Sequence, residues 1–193
     1  MGDQALPAAV LGGYVRRPLR VHDRSTRTLD QRLAVRFPVF AAALPRLIAR
    51  LQPGSRVRQA ALGRALRLGV QAYNRRDLEA VAISYHPKLE YYPYREFVEA
   101  ALAEPCYRGP SGYRAYIAAT EDVWGTDVRL EPTEFIDLGD RVVLLANMPM
   151  RAQASGIPLA ETYAGVSTLK NGRVIRQHDF LDQAEALAAV GLS

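Results

Sequence analysis

The chain has 193 residues, 49% of them hydrophobic and 23% charged, enough for one domain with a sizeable core and some additional chain. No apolar run approaches the roughly 20 residues of a membrane span, and the first residues lack the ordered regions of a secretory signal. The single cysteine, Cys106, excludes an internal disulfide and suits a reducing cytosol, so a cytoplasmic location is expected. The net charge of +5 comes from arginines concentrated between residues 16 and 67, opposed there only by Asp23 and Asp30. They alternate with leucine and alanine rather than with stacking aromatics, so they describe a solvated helical face and argue against a nucleic-acid partner.

In chain order, residues 1–27 carry Gly-Gly, proline and scattered arginine without an apolar period, and read as a mobile arm. Residues 28–54 form a helical extension. Leu29, Leu33, Phe37, Phe40, Leu44, Leu47, Ile48 and Leu51 recur at helical spacing, and Pro38 and Pro45 divide them into short helices. This zone either packs against the domain or a dimer mate, covers a pocket as a lid, or lies on an anionic membrane surface. The prolines disfavour the last, so membrane contact is not expected.

Residues 55–193 read as a complete domain. Ser55 caps a helix over 57–73 that Asn74 closes, and Asp77 caps a short second helix. His86-Pro87 predicts a turn before the strand KLEYY. A helical turn follows in the irregular segment PYREFVEAALAEPCYRGP, and Ser111 is the expected cap of the next helix. Four strand-like runs then occupy residues 127–182, with Gly139-Asp140 and Asn171-Gly172 as hairpin turns, and a helix over 183–192 ends the chain. Helices followed by an antiparallel meander indicate an α+β fold, in which the long strands curl into an open cone whose concave face the first helices cover.

The order QAYNRRDLEA, HPKLEYYP, YRGPSGYRAY, LEPTEFIDLGDRVVLL and STLKNGRVIRQHDFLDQAEALAAVGL resembles the SnoaL-like branch of the nuclear transport factor 2-like superfamily, over roughly residues 55–192. The resemblance implies a cystatin-like α+β barrel with one apolar pocket for a small hydrophobic ligand, and a homodimer across the sheet. It implies acid–base chemistry without metal or organic cofactor: cyclisation, isomerisation, dehydration or hydrolysis. The alternative is a non-catalytic ligand-binding or dimeric interaction module of the same fold, since fold does not fix chemistry.

Adjacent side chains of a strand face opposite ways, so His178 and Asp179 cannot act as a dyad while the last strand stays regular. The resemblance places the acid–base carboxyl of SnoaL-type cyclases at Asp179, which turns Gln177 inward with it and His178 outward. A carboxylate among apolar walls has a raised pKa and exchanges protons near neutrality. Tyr163, on the preceding strand, is the best candidate for a second catalytic group, with Asn147, Gln177 and Tyr91 as substrate-binding residues and Trp124 and Tyr73 as pocket walls. Other tyrosines (Tyr92, Tyr94, Tyr113, Tyr116) are further possible donors. Two positions depart from the family. Gly165 stands where the cyclase pattern has a second inward histidine, and Tyr91 stands where the ketosteroid-isomerase pattern has its general base.

Overall fold

The computed structural model describes residues 10–11, 13–37, 43–125, 128–151 and 158–192. Thr28 and Gln31 form a reciprocal capping box at the start of α1 (Leu29–Arg36). The same glutamine is buried and donates to the Leu68 carbonyl at 3.0 Å, which fastens α1 to α3 (Arg56–Asn74). Between them lies α2 (Ala43–Ile48). Pro38, the expected first break, lies outside the described residues. Ser55 caps α3 and Asp77 caps α4 (Leu78–Ala82), as the sequence predicts.

The buried face of α3 is not apolar alone. Val57 is 65% exposed, whereas Arg58 and Gln59 are buried. Their burial is possible because both are paired. Arg58 binds both carboxylate oxygens of the fully buried Asp137 at 2.7 and 2.8 Å, and Gln59 donates to the same carboxylate at 2.7 Å. The remaining Arg58 N–H groups reach the carbonyls of Ala49, Leu51 and Gly139. One guanidinium thus ties the extension, α3 and the sheet together.

Among the described residues the sheet has eight strands: β1 (Val10–Leu11), β2 (Tyr14–Pro18), β3 (Tyr85–Tyr92), β4 (Tyr107–Arg108), β5 (Glu131–Asp137), β6 (Arg141–Arg151), β7 (Pro158–Lys170) and β8 (Arg173–Phe180). Their order is β1-β2-β5-β6-β7-β8-β3-β4. Strands β5 to β8 form the predicted antiparallel meander, and the turn Asn171-Gly172 has positive φ at both residues, 54° and 74°. The earlier strand, β3, joins β8 in parallel. The predicted turn at His86-Pro87 is instead the start of β3, and the register against β8 shifts between Tyr85 and Glu90, where proline cannot supply a ladder donor.

The segment expected to be an arm is also partly ordered into the sheet. Strand β2 pairs antiparallel with β5, and the side chain of Leu19 is fully buried beside Phe135 and Val142. Helix α5 (Arg95–Glu99) is the predicted helical turn. Helix α6 (Gly109–Trp124) begins two residues before the expected Ser111 cap, with Pro110 in its first turn, where a missing N–H costs nothing.

The open, curved sheet carries packed apolar residues on both faces. On its inner face Tyr94, Phe97, Met148 and Tyr163 pack with Val70 of α3, and Leu89 and Tyr91 pack with Tyr113, Tyr116 and Ile117 of α6. On the outer face Ile136, Val143, Leu145 and Val166 are covered by Ala186 and Val190, in and just beyond α7 (Gln183–Ala189). At the tip of the β7–β8 hairpin, Gly172 lies so close to the Pro45 carbonyl of α2 that no Cβ would fit. Among the described residues of the extension and the start of α3, Leu29, Leu33, Phe37, Leu47, Leu51 and Val57 stay exposed. Among the described residues no helix is long and apolar enough to cross a membrane.

Candidate active site

Between α3, α6 and the inner face of the sheet lies a cavity of about 880 Å³. Aromatic rings and aliphatic side chains make most of its wall. Leu33, Phe37 and Ile48 of the extension also line it, while Gln177 and Asp179 bring polar groups to its floor. The alternation of β8 puts them there. Gln177 and Asp179 are buried on the inner side. His178 faces the other way and stacks on Tyr92 at 4.2 Å between ring centroids, its pKa lowered by burial and by Arg176.

Three donors converge on the Asp179 carboxylate. The Tyr91 hydroxyl donates to Oδ2, the Tyr163 hydroxyl donates to Oδ1 at 3.0 Å, and Gln177 Nε2 donates to Oδ1 at 2.8 Å. Ser167 in turn donates to Gln177 Oε1, fixing which end of the amide faces the acid. Burial raises the Asp179 pKa to about 6, and the three hydrogen bonds, each favouring the ionised form, hold it from rising further. An amide N–H can only donate. Oδ1 therefore stays an acceptor, and the proton of the neutral acid belongs on Oδ2, facing a Tyr91 hydroxyl that can turn to accept it.

The surrounding phenols are neutral at ordinary pH. Tyr91, Tyr94, Tyr113, Tyr116 and Tyr163 are all raised well above 10, first by burial and then by neighbouring charge. Tyr94 differs in its partner. Its hydroxyl lies 3.5 Å from the Met148 sulfur, a weak acceptor, so its donor capacity is little used.

Of the residues singled out from the sequence, Asp179, Tyr163, Gln177 and Tyr91 meet in one hydrogen-bonded group, and Tyr73 lines the same cavity. Asn147 does not. It shares the outward side of β6 with Val143 and Leu145, is exposed, and sits opposite Glu131 of β5. Trp124 ends α6, and its side chain lies outside the described residues. Tyr92, one of the possible donors, is on the outer side with His178. Sequence reasoning missed Ser167, which the two-residue period from Tyr163 through Gly165 could have found. It also missed Tyr85, which precedes the proline taken for a turn and lines the cavity.

A family model described as a SnoaL-like domain matches residues 66–177, and the chain belongs to that family, within the nuclear transport factor 2-like superfamily. A comparison with curated proteins finds no match. Among solved structures, a nuclear transport factor 2-like protein of unknown function from Burkholderia pseudomallei is 26% identical with a TM-score of 0.55, covering 65% of this chain and 93% of its own. TerC, co-crystallised with polyporic acid, is 23% identical with a TM-score of 0.55, over 66% of this chain and 96% of its own. A protein of ketosteroid isomerase-like fold from Catenulispora acidiphila, in complex with trimethylamine, is 16% identical with a TM-score of 0.51, over 67% and 93%.

Proposed function

We propose that this protein is a cofactor-free acid–base enzyme that moves a proton on a small, largely hydrophobic, carbonyl-bearing molecule. The observation that carries the reading is a buried carboxyl on the floor of a largely apolar cavity, with a pKa of about 6, so that both of its protonation states are accessible near neutrality. As the carboxylate, Asp179 takes a proton from a carbon next to the carbonyl. As the acid, it returns that proton elsewhere on the same molecule, which makes isomerisation or aldol-type cyclisation the simplest balanced outcome. Tyr91, Tyr163 and Gln177 are already committed to orienting the carboxylate. Tyr94, whose hydroxyl meets a weak thioether acceptor, is a cavity hydroxyl free to turn to a substrate oxygen that gains charge.

The test is proton exchange. Apolar ketones and polyketide-like compounds incubated with the protein in heavy water should incorporate deuterium next to the carbonyl. Asp179→Asn should slow this by roughly 10²–10⁴-fold while still binding the compounds. Wild-type exchange no faster than buffer, for every compound that binds, would remove the catalytic reading. It would leave the second one, a binding module, which the missing histidine at Gly165 favours. A homodimer across the sheet and a cytoplasmic location belong to the same proposal, supported by the family resemblance and the lone cysteine. Light scattering of the purified protein tests the first.

A further inference from the structure

Gly165 sits in the middle of β7, directly opposite Asp179 on β8, on the inner face of the sheet. Glycine is a poor choice at the centre of a strand, where it adds backbone entropy to be lost and no side chain to pack. The backbone does not demand it, since Gly165 is not among the residues with positive φ. What demands it is space. A Cβ at this position would collide with the Tyr163 hydroxyl and lie 2.6 Å from Gln177 Nε2 and 3.0 Å from Tyr163 Cζ. These two groups are the pair that donates to Asp179 Oδ1, and they also lie 3.4 Å from each other. The ring of Tyr163 folds back over its own strand and occupies the place a side chain of residue 165 would take.

We infer that Gly165 is a positioning residue, whose missing side chain opens the space in which the Tyr163 hydroxyl and the Gln177 amide converge on the Asp179 carboxylate. The inference rests on the proposal that Asp179 is the reactive carboxyl. In the family pattern this position carries an imidazole, and here the space is given to a tyrosine hydroxyl that does not titrate near neutrality. Within the hydrogen-bonded group of Tyr91, Tyr163, Gln177 and Asp179, the carboxyl is then the part that changes charge in the working range. Among the described residues, the titratable side chains that feel Asp179 are phenols: Tyr73 of α3, Tyr85 and Tyr91 of β3, Tyr94 before α5, Tyr113 and Tyr116 of α6, and Tyr163 of β7; the charged Arg76 and Glu121 line the same cavity and act on Tyr73. The Asp179 midpoint therefore reports on its donors.

Carbon-13 NMR of the aspartate carboxyls in the full chain, titrated with pH, tests this without a substrate. Gly165→Ala should displace both donors and raise the Asp179 midpoint by about one pH unit, because the ionised form loses its hydrogen bonds. Tyr163→Phe should raise it by a smaller amount, and adding Gly165→Ala to Tyr163→Phe should raise it by less than Gly165→Ala does alone, because the closest collision is gone. A folded Gly165→Ala protein that titrates like the wild type, or shifts that simply add, would overturn the inference. Should Gly165→Ala fail to fold, recovery of folding by the added Tyr163→Phe supports the same contact, and no recovery overturns it. A shifted midpoint in a protein that exchanges no protons on any compound would count against the proposed reaction and leave the role of Gly165 standing.

Discussion

Asp179 carries a stability consequence of its own. Its pKa in the folded protein, about 6, lies above the 3.8 of a free aspartate, so the native state holds the proton more tightly than the unfolded chain does. The stabilisation is complete below about pH 4 and is lost as pH rises through about 6, amounting to about 3 kcal/mol. Denaturant titrations of Asp179→Asn should accordingly show a more stable protein at pH 7 and no fall between pH 4 and 6. A variant that loses stability at pH 7 would contradict this. Such an inward carboxyl was legible in the sequence because a strand has a period of two and the family motif supplied its phase. Asn147 was misjudged for want of the same phase. A polar residue inside RVVLLANMPM must face somewhere, and only the register of β6 against β5 and β7 assigns it to the outward side with Val143 and Leu145.

Among the elements, the joint between α3, the extension and the sheet depends on the Arg58–Asp137 pair, both of whose side chains are essentially inaccessible. Removing one partner strands the other charge in the interior. Arg58→Met or Asp137→Asn alone should destabilise the protein by about 3–5 kcal/mol, and an apolar replacement of both should recover part of the loss, as urea denaturation would measure. Strand β2 makes a second joint. Leu19→Ala should cost about 2–5 kcal/mol, a loss that a freely moving arm would not show. Local pattern revealed the capped helices and the Asn171-Gly172 hairpin, since those signals lie within a few residues of one another. The parallel seam of β3 on β8 and the docking of β2 on β5 join residues about 90 to 120 positions apart. YVRRP offers one buried side chain, Val15, to announce that it is a strand.

For the molecule as a whole, two acids impose opposite slopes on stability. Arg27, against some desolvation and with help from Arg75, lowers the pKa of Asp77 to about 2. That contribution is present above about pH 4 and lost as pH falls towards 2, whereas the contribution of Asp179 is lost as pH climbs from about 4 to 6. In thermal melts across pH, Arg27→Gln should therefore lose less stability between pH 4 and 2 than the wild type does, and Asp179→Asn less between pH 4 and 6. The arrangement at Gly172 has a consequence of another kind. With the β7–β8 hairpin tip and the Pro45 carbonyl nested at a distance that leaves no room for even a methyl group, that turn serves as a seat for the segment whose Ile48 lines the cavity. Lengthening or decorating the turn would push on that wall while leaving the carboxyl on β8 where it is.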